Sequence, residues 1–99
     1  MNIRLAGPAR RQADRIDRWW REHRPAVADL FAREFETARR IILDSPELGT
    51  PYVKRHGVFV RRILLPKTQN HVYYELRRDE GVVMILAVWG APRGRGPKL

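Results

Sequence analysis

The stretch VFVRRILLPKTQNHVYYELRRDEGVVMILAVWG, residues 58–90, decides the fold of this chain. β-Branched and aromatic residues recur in it with a period of 2, which is typical of strands. The three runs are residues 58–65, 71–77 and 82–89. The connections between them are short, and Gly81 permits the left-handed backbone that a hairpin turn needs. Because short connections join antiparallel neighbours, this stretch predicts an antiparallel sheet.

The first half of the chain has a helical period instead. Residues 2–5 favour a short edge strand, and Gly7-Pro8 then begins a helix, because proline at the first helical position loses no hydrogen bond. Apolar residues recur at intervals of three and four along this helix: Ala9, Ala13, Ile16 and Trp20. This spacing predicts one apolar helix face.

A second helix is predicted to open at Pro25 and to end near Asp44, since Ser45-Pro46 prevents its continuation. Its apolar face is predicted to contain Val27, Leu30, Phe31, Phe35, Ala38, Ile41 and Ile42. Residues 46–51 have no periodicity and are predicted to form a loop. Together these elements predict one α+β domain over residues 1–99, a helical hairpin packed on a three- to four-stranded antiparallel sheet.

The composition indicates the kind of partner. The chain has 20 Lys and Arg against 11 Asp and Glu, a formal net charge of +9, which favours an anionic or acidic partner. The excess is concentrated from Lys54 onward, on the predicted sheet. The chain has no cysteine and three scattered histidines, so we expect neither a disulfide nor a metal site. No apolar run approaches the ~18 residues of a membrane span, and we expect a cytoplasmic protein without a cofactor and without a membrane partner.

The order of the elements and four short motifs resemble the RelE/ParE toxin superfamily over nearly the whole chain. The motifs are the link Ser45-Pro46-Glu47-Leu48-Gly49, the pairs Arg61-Arg62 and Tyr73-Tyr74, and the apolar run 83–89 that leads to Arg93. The resemblance implies the toxin of a type II toxin–antitoxin pair, which forms a hetero-oligomer with its cognate antitoxin. It also implies one of two targets, since RelE-like members cleave mRNA on the ribosome and ParE-like members poison DNA gyrase.

The RelE-like alternative requires groups for metal-independent RNA cleavage. A base must take the 2′-OH proton, an acid must protonate the leaving oxygen, and cations must steady the phosphorane charge. His71 titrates near neutrality, and Tyr73 lies on the same strand face. For this alternative the candidate catalytic residues are His71, Arg61, Arg93 and Tyr73, with Arg62 and Lys67 as further members of a cationic clamp.

The ParE-like branch is the reading that we favour. The resemblance to RelE implies a tyrosine beyond the last strand, and no tyrosine follows Trp89 here. The double arginine and the short basic tail resemble the ParE-like branch, whose members act by binding and not as enzymes. The candidate residues for binding the target or the antitoxin are Arg61, Arg62, Lys67, His71, Tyr73, Trp89, Arg93 and Arg95. An alternative of another class is a non-toxic nucleic-acid-binding module or an inactive toxin relative.

Strand alternation divides these candidates between the two faces of the sheet. Arg61 and Arg62 must point to opposite faces, and so must Tyr73 and Tyr74. We expect Tyr74 to face the helices with Val72 and Leu76. The basic tail after Trp89 either folds back beside the sheet, binds the antitoxin or binds nucleic acid.

Overall fold

A computed structural model describes residues 1–92 and 94–99 of the chain. The elements in chain order are β1 (Asn2–Leu5), α1 (Gly7–His23), α2 (Leu30–Asp44), β2 (Thr50–Arg55), β3 (Val58–Leu65), β4 (Asn70–Arg77) and β5 (Val82–Gly90). One-turn 3-10 helices at Pro25–Val27 and Arg78–Glu80 complete the described regular structure. The predicted α+β class is therefore confirmed, as are the start of α1 at Gly7 and the end of α2 at Asp44.

The sheet has more strands than the sequence predicts. Its five strands lie in the order β1-β5-β4-β3-β2, and β1 is parallel to β5, with Asn2 beside Val82 and Leu5 beside Ile85. A purely antiparallel sheet of three to four strands was thus the wrong expectation. The parallel pair is possible because the two helices and three other strands separate β1 from β5, so no tight turn fixes their direction.

The fifth strand, β2, replaces part of the predicted loop 46–51. It pairs antiparallel with β3 through a turn at His56-Gly57, where both residues have positive φ values of 50° and 77°. Two consecutive left-handed residues suit the twist of a two-residue hairpin turn. The strand carries Pro51, which is tolerated because β2 lies at the sheet edge.

The second helix begins later than predicted. Pro25 opens only the 3-10 turn Pro25–Val27, and α2 starts at Leu30. As a result Val27 does not join the apolar face of α2 and remains 38% exposed. Ile41, also assigned to that face, is exposed to the same extent, while Phe31, Ala38 and Ile42 are buried as expected.

Both helices pack on one face of the sheet. The core between these layers contains Ala9, Ala13, Phe31, Ala38, Ile42, Leu65, Val72, Tyr74, Val83, Ile85 and Val88. Tyr74 and Val72 are buried and Leu76 packs against them, so the prediction that these three residues face the helices is confirmed.

A second, smaller cluster lies on the sheet surface turned away from the helices. Its buried members are Val60, Tyr73, Leu86 and Ala87, and Tyr52, Met84 and Trp89 pack against them. No residue of α1 or α2 belongs to it among the described residues. We call this surface the open face, because the helices leave it uncovered.

Candidate binding face of the sheet

Strand register gathers four of the predicted residues on the open face. Arg62 of β3 is paired with Tyr73 of β4, and His71 is paired with Trp89 of β5. The ring centres of His71 and Tyr73 are 5.9 Å apart, and Arg62 Nη1 donates a long hydrogen bond of 3.4 Å to the Tyr73 hydroxyl. These four residues therefore form one patch that contains both cations and aromatic rings.

Tyr52 joins this patch, although no pattern in the sequence singles it out. A register shift in β2 between Pro51 and Val53 leaves Tyr52 outside regular pairing with β3. Its ring and that of Tyr73 are T-shaped, with ring centres 4.9 Å apart, and the Arg62 guanidinium lies 5.0 Å from the Tyr52 ring centre. Tyr52 is thus held between a ring and a cation, which fixes its position on the open face.

The electrostatic surroundings of His71 favour its neutral form. Partial burial lowers the pKa of the imidazole below its ordinary value of 6.5, and the positive charge of Arg62 lowers this pKa further. At pH 7 the ring is therefore mainly uncharged, with one nitrogen able to accept a proton and the other able to donate a hydrogen bond.

A shallow cavity of about 250 Å³ lies at the centre of the patch. Its walls come from the strands and from the segment after β5: Tyr52, Arg62, His71, Tyr73, Trp89, Gly90, Ala91, Gly94, Arg95 and Gly96. The segment 94–99 thus forms one side of the cavity.

The described part of the tail crosses the open face from β5 towards β2. The indole Nε1 of Trp89 donates a 2.8 Å hydrogen bond to the backbone oxygen of Arg95, and Arg55 Nη1 donates a 2.9 Å bond to the backbone oxygen of Leu99. Between these two points Gly96 lies directly on Tyr52, since a β-carbon at this position would be 2.2 Å from the tyrosine hydroxyl. Residues 94–99 therefore fold back on the sheet, which is one of the three alternatives predicted for the tail.

An ion cluster lies on the same face, at the other end of the strands. The side chain of Glu75 is 8% exposed, accepts a 2.7 Å hydrogen bond from Arg77 Nε and lies 3.3 Å from Arg55 Nε. The contact with Arg55 Nε has the distance of an ion pair without the geometry of a hydrogen bond. The two arginines compensate the charge of this carboxylate, which explains why an acidic residue can be buried on a basic face.

Two predicted residues lie away from the open face. Arg61 points to the opposite side of the sheet, where Nη1 donates hydrogen bonds of 3.2 and 3.0 Å to the backbone oxygens of Glu47 and Gly49. Lys67 lies in the turn between β3 and β4, and its backbone N–H donates a 2.7 Å bond to the Glu34 carboxylate. The structure does not bring either residue to the patch around His71.

The remaining predictions concern the tail and metals. Arg95 lines the cavity with an exposed side chain, whereas the prediction for Arg93 falls outside the described residues. Within residues 1–92 and 94–99, no group of three or more His, Cys, Asp or Glu side chains is arranged to hold a metal ion. Across the same residues, no helix has the length and the apolar character needed to span a bilayer.

Comparison with protein families gave a match over most of the chain. The family model described as the ParE toxin of the type II toxin–antitoxin system, parDE, matches residues 3–93. The matched region includes both helices and all of the strands apart from Asn2. A search of curated proteins found no match.

Proposed function

The chain belongs to the ParE toxin family of type II toxin–antitoxin systems, and on this premise we propose that it stops growth by poisoning DNA gyrase until its cognate antitoxin neutralises it. Family membership makes the chain a toxin component and an antitoxin its partner. The gyrase target is our proposal, and we propose the open face as the surface that binds it.

The observation that carries the proposal is the composition of the open face. Tyr52, Tyr73, Trp89 and Arg62 lie together around a shallow cavity. Tyrosine, tryptophan and arginine are the residues enriched at the energetic centres of protein–protein interfaces. A shallow patch of this kind suits a protein partner better than a small substrate, which binds in a deeper pocket.

The charges of the face support binding over chemistry. Among the described residues that line the cavity, His71 is the one histidine, and no carboxylate lines it. The nearby Glu75 is engaged by Arg55 and Arg77. General acid–base catalysis needs a second proton-transferring group within hydrogen-bond reach of the reacting atoms, and neither a second histidine nor a carboxylate is among the described residues of the cavity wall.

Ribosome-dependent cleavage of mRNA is the second candidate function. One observation favours it: His71 lies beside both Arg62 and Tyr73, and its lowered pKa keeps the imidazole in the form that accepts a proton. This arrangement would supply a base and a cation for attack of a 2′-OH group.

The two functions are separated by inducing the chain in bacteria without an antitoxin. We expect growth arrest together with gyrase–DNA cleavage complexes and altered plasmid supercoiling, while mRNA remains intact. Cleavage of mRNA only in the presence of ribosomes would instead establish the second candidate. Normal growth with neither effect would contradict both and leave the non-toxic relative.

Three variants sharpen this experiment. Arg62→Ala removes a cation from the patch and His71→Ala removes its imidazole. Arg33→Ala is the matched control, because its exposed side chain lies on α2 and pairs with Asp29. A gyrase poison should be weakened by Arg62→Ala and should retain most of its effect in His71→Ala. An endonuclease should lose its activity in His71→Ala.

A further inference from the structure

The segment 94–99 occupies the open face in the way that a bound peptide would. Two donors of the sheet, the indole N–H of Trp89 and the guanidinium of Arg55, each bond to a backbone oxygen of the segment. Backbone oxygens are present in every polypeptide, so neither bond depends on the side chains of the segment. The face is therefore equipped to hold an extended chain of another sequence.

The charges of the segment fit this face poorly. Arg95 forms part of the cavity wall that already contains the cation Arg62, and Lys98 adds a second cation to the segment. Bringing like charges together disfavours the closed arrangement, whereas an acidic chain in the same place would gain favourable interactions with the same cations. The segment has the hydrogen bonds of an occupant of this face but lacks the complementary charge.

Nucleic acid is a less suitable occupant. Base recognition by an open sheet depends on aromatic rings whose faces are free for stacking. The Tyr52 ring already contacts the Arg62 guanidinium and the Tyr73 ring, and Tyr73 is 2% exposed.

We propose that residues 94–99 are a displaceable cover of the open face, and that the partner that displaces them is an extended acidic peptide. This inference deepens the proposed function and rests on it only for the source of the peptide, which would be the antitoxin. The cover lowers the apparent affinity of the face by the fraction of molecules in which it is closed.

Two glycines of the cover provide a matched pair of variants. A β-carbon at Gly96 would lie 2.2 Å from the Tyr52 hydroxyl, whereas a β-carbon at Gly94 would have no neighbour within 4 Å. Since Tyr52 is held by Tyr73 and Arg62, Gly96→Ala should lift the cover and Gly94→Ala should leave it in place. Both variants keep the full length of the chain.

The position of the cover is measured by solvent exchange of the Trp89 indole proton in NMR spectra, assigned by comparison with Trp89→Phe. We expect this proton to exchange several-fold faster in Gly96→Ala than in the unmodified protein, because it loses the bond to Arg95. In Gly94→Ala the rate should be unchanged. Equal exchange rates in the two variants would overturn the proposal, because the cover would then not be what protects the indole.

The partner is tested with a synthetic peptide in which Glu alternates with Val, and with a matched peptide that contains Gln in place of Glu. The acidic peptide should bind about three- to tenfold more tightly to Gly96→Ala than to Gly94→Ala, in proportion to the closed fraction that is lost. It should also accelerate exchange of the Trp89 indole proton or shift its resonance in the unmodified protein. Equal affinity of the two peptides would contradict the acidic partner.

A single-stranded RNA serves as the probe of the other macromolecular class. Tighter binding of this RNA than of the acidic peptide, with displacement of the cover, would overturn the peptide assignment. The proposed function is checked separately by growth arrest on induction. A protein that arrests growth but keeps its cover closed in the presence of the peptide would contradict this inference alone, and a harmless protein with a displaceable cover would contradict only the proposed function.

Discussion

The hydroxyl of Tyr74 accepts a 2.9 Å hydrogen bond from the backbone N–H of Gly49, and it fills the space that a β-carbon of Gly49 would need. Arg61, paired with Tyr74 across the sheet, donates to the backbone oxygen of the same glycine. One cross-strand pair thus fastens the connection between α2 and β2 to the sheet. Burial raises the pKa of Tyr74, so its hydroxyl stays protonated at pH 7.

Gly49→Ala should therefore destabilise the protein. The added carbon would lie 2.5 Å from the Tyr74 hydroxyl, and both groups are in the buried interior. Overpacking of this kind costs about 1–3 kcal/mol, which urea unfolding will measure. Gly94→Ala, whose new carbon meets open space, is the control and should leave the unfolding free energy unchanged. Equal stability of the two variants would show that the loop adjusts freely around Tyr74.

Glu75→Gln should lower the free energy of unfolding considerably more than the loss of an exposed acidic side chain does. The side chain of Glu75 is 8% exposed and lies between Arg55 and Arg77, so its neutralisation removes the buried anion that both partly buried guanidinium groups contact. We expect a loss of about 2–4 kcal/mol. The matched control is Glu36→Gln, which breaks an exposed pair with Arg39 at 3.8 Å and should cost less than about 0.5 kcal/mol. Similar losses in both variants would contradict this account of the cluster.

The stability of the protein should depend on His71 at mildly acidic pH. The pKa of His71 is lowered in the folded state, by burial and by the charge of Arg62, so the folded state binds this proton less readily than the unfolded chain does. The contribution of neutral His71 is complete above pH 6.5 and is lost as the pH falls through the folded-state pKa. His71→Gln should thus lose less stability than the unmodified protein between about pH 7.5 and pH 5. Parallel pH profiles in urea unfolding would contradict this prediction.

The sequence is informative about this fold where structure depends on local pattern. The helical spacing of Ala9 and Ala13 predicts α1, and the alternation through residues 58–90 predicts β3, β4 and β5; all four elements appear in the structure. The strand β2 and the parallel pairing of β1 were not predictable in the same way. Pro51 argues against a strand until its edge position is known, and the direction of β1 depends on contacts with β5, which is distant in sequence.

In the candidate site, too, the positions that follow from local pattern are predictable and those that depend on distant contacts are not. Alternation predicts that His71 and Tyr73 share a face and that Arg61 and Arg62 do not, and the observed hydrogen bonds and ring contacts agree. Tyr52 escapes prediction because a register shift in β2 places it beside Tyr73. The position of Lys67 depends on hydrogen bonds from the backbone of its turn to the carboxylate of Glu34 in α2, which is far away in the sequence.

Arg61→Ala should lower the stability of the protein more than Arg62→Ala does, although the two residues are adjacent. Arg61 donates to two backbone oxygens of the loop that ends at Gly49, so its removal should lower the unfolding free energy by about 1–3 kcal/mol. Arg62 contacts the Tyr52 ring and donates a long hydrogen bond to Tyr73, so its removal should lower the unfolding free energy by no more than about 1 kcal/mol.

Their effects on growth arrest should be reversed once protein levels are matched. Arg62→Ala removes a cation from the open face and should weaken the arrest strongly at nearly unchanged stability, since a central arginine contributes much of the energy of an interface. Arg61→Ala leaves that face intact and should weaken the arrest only through a lower concentration of folded protein. Growth assays at matched folded levels, together with urea unfolding of both variants, test this pair. Strong loss of toxicity in folded Arg61→Ala, with full toxicity in Arg62→Ala, would place the target on the helix side of the sheet.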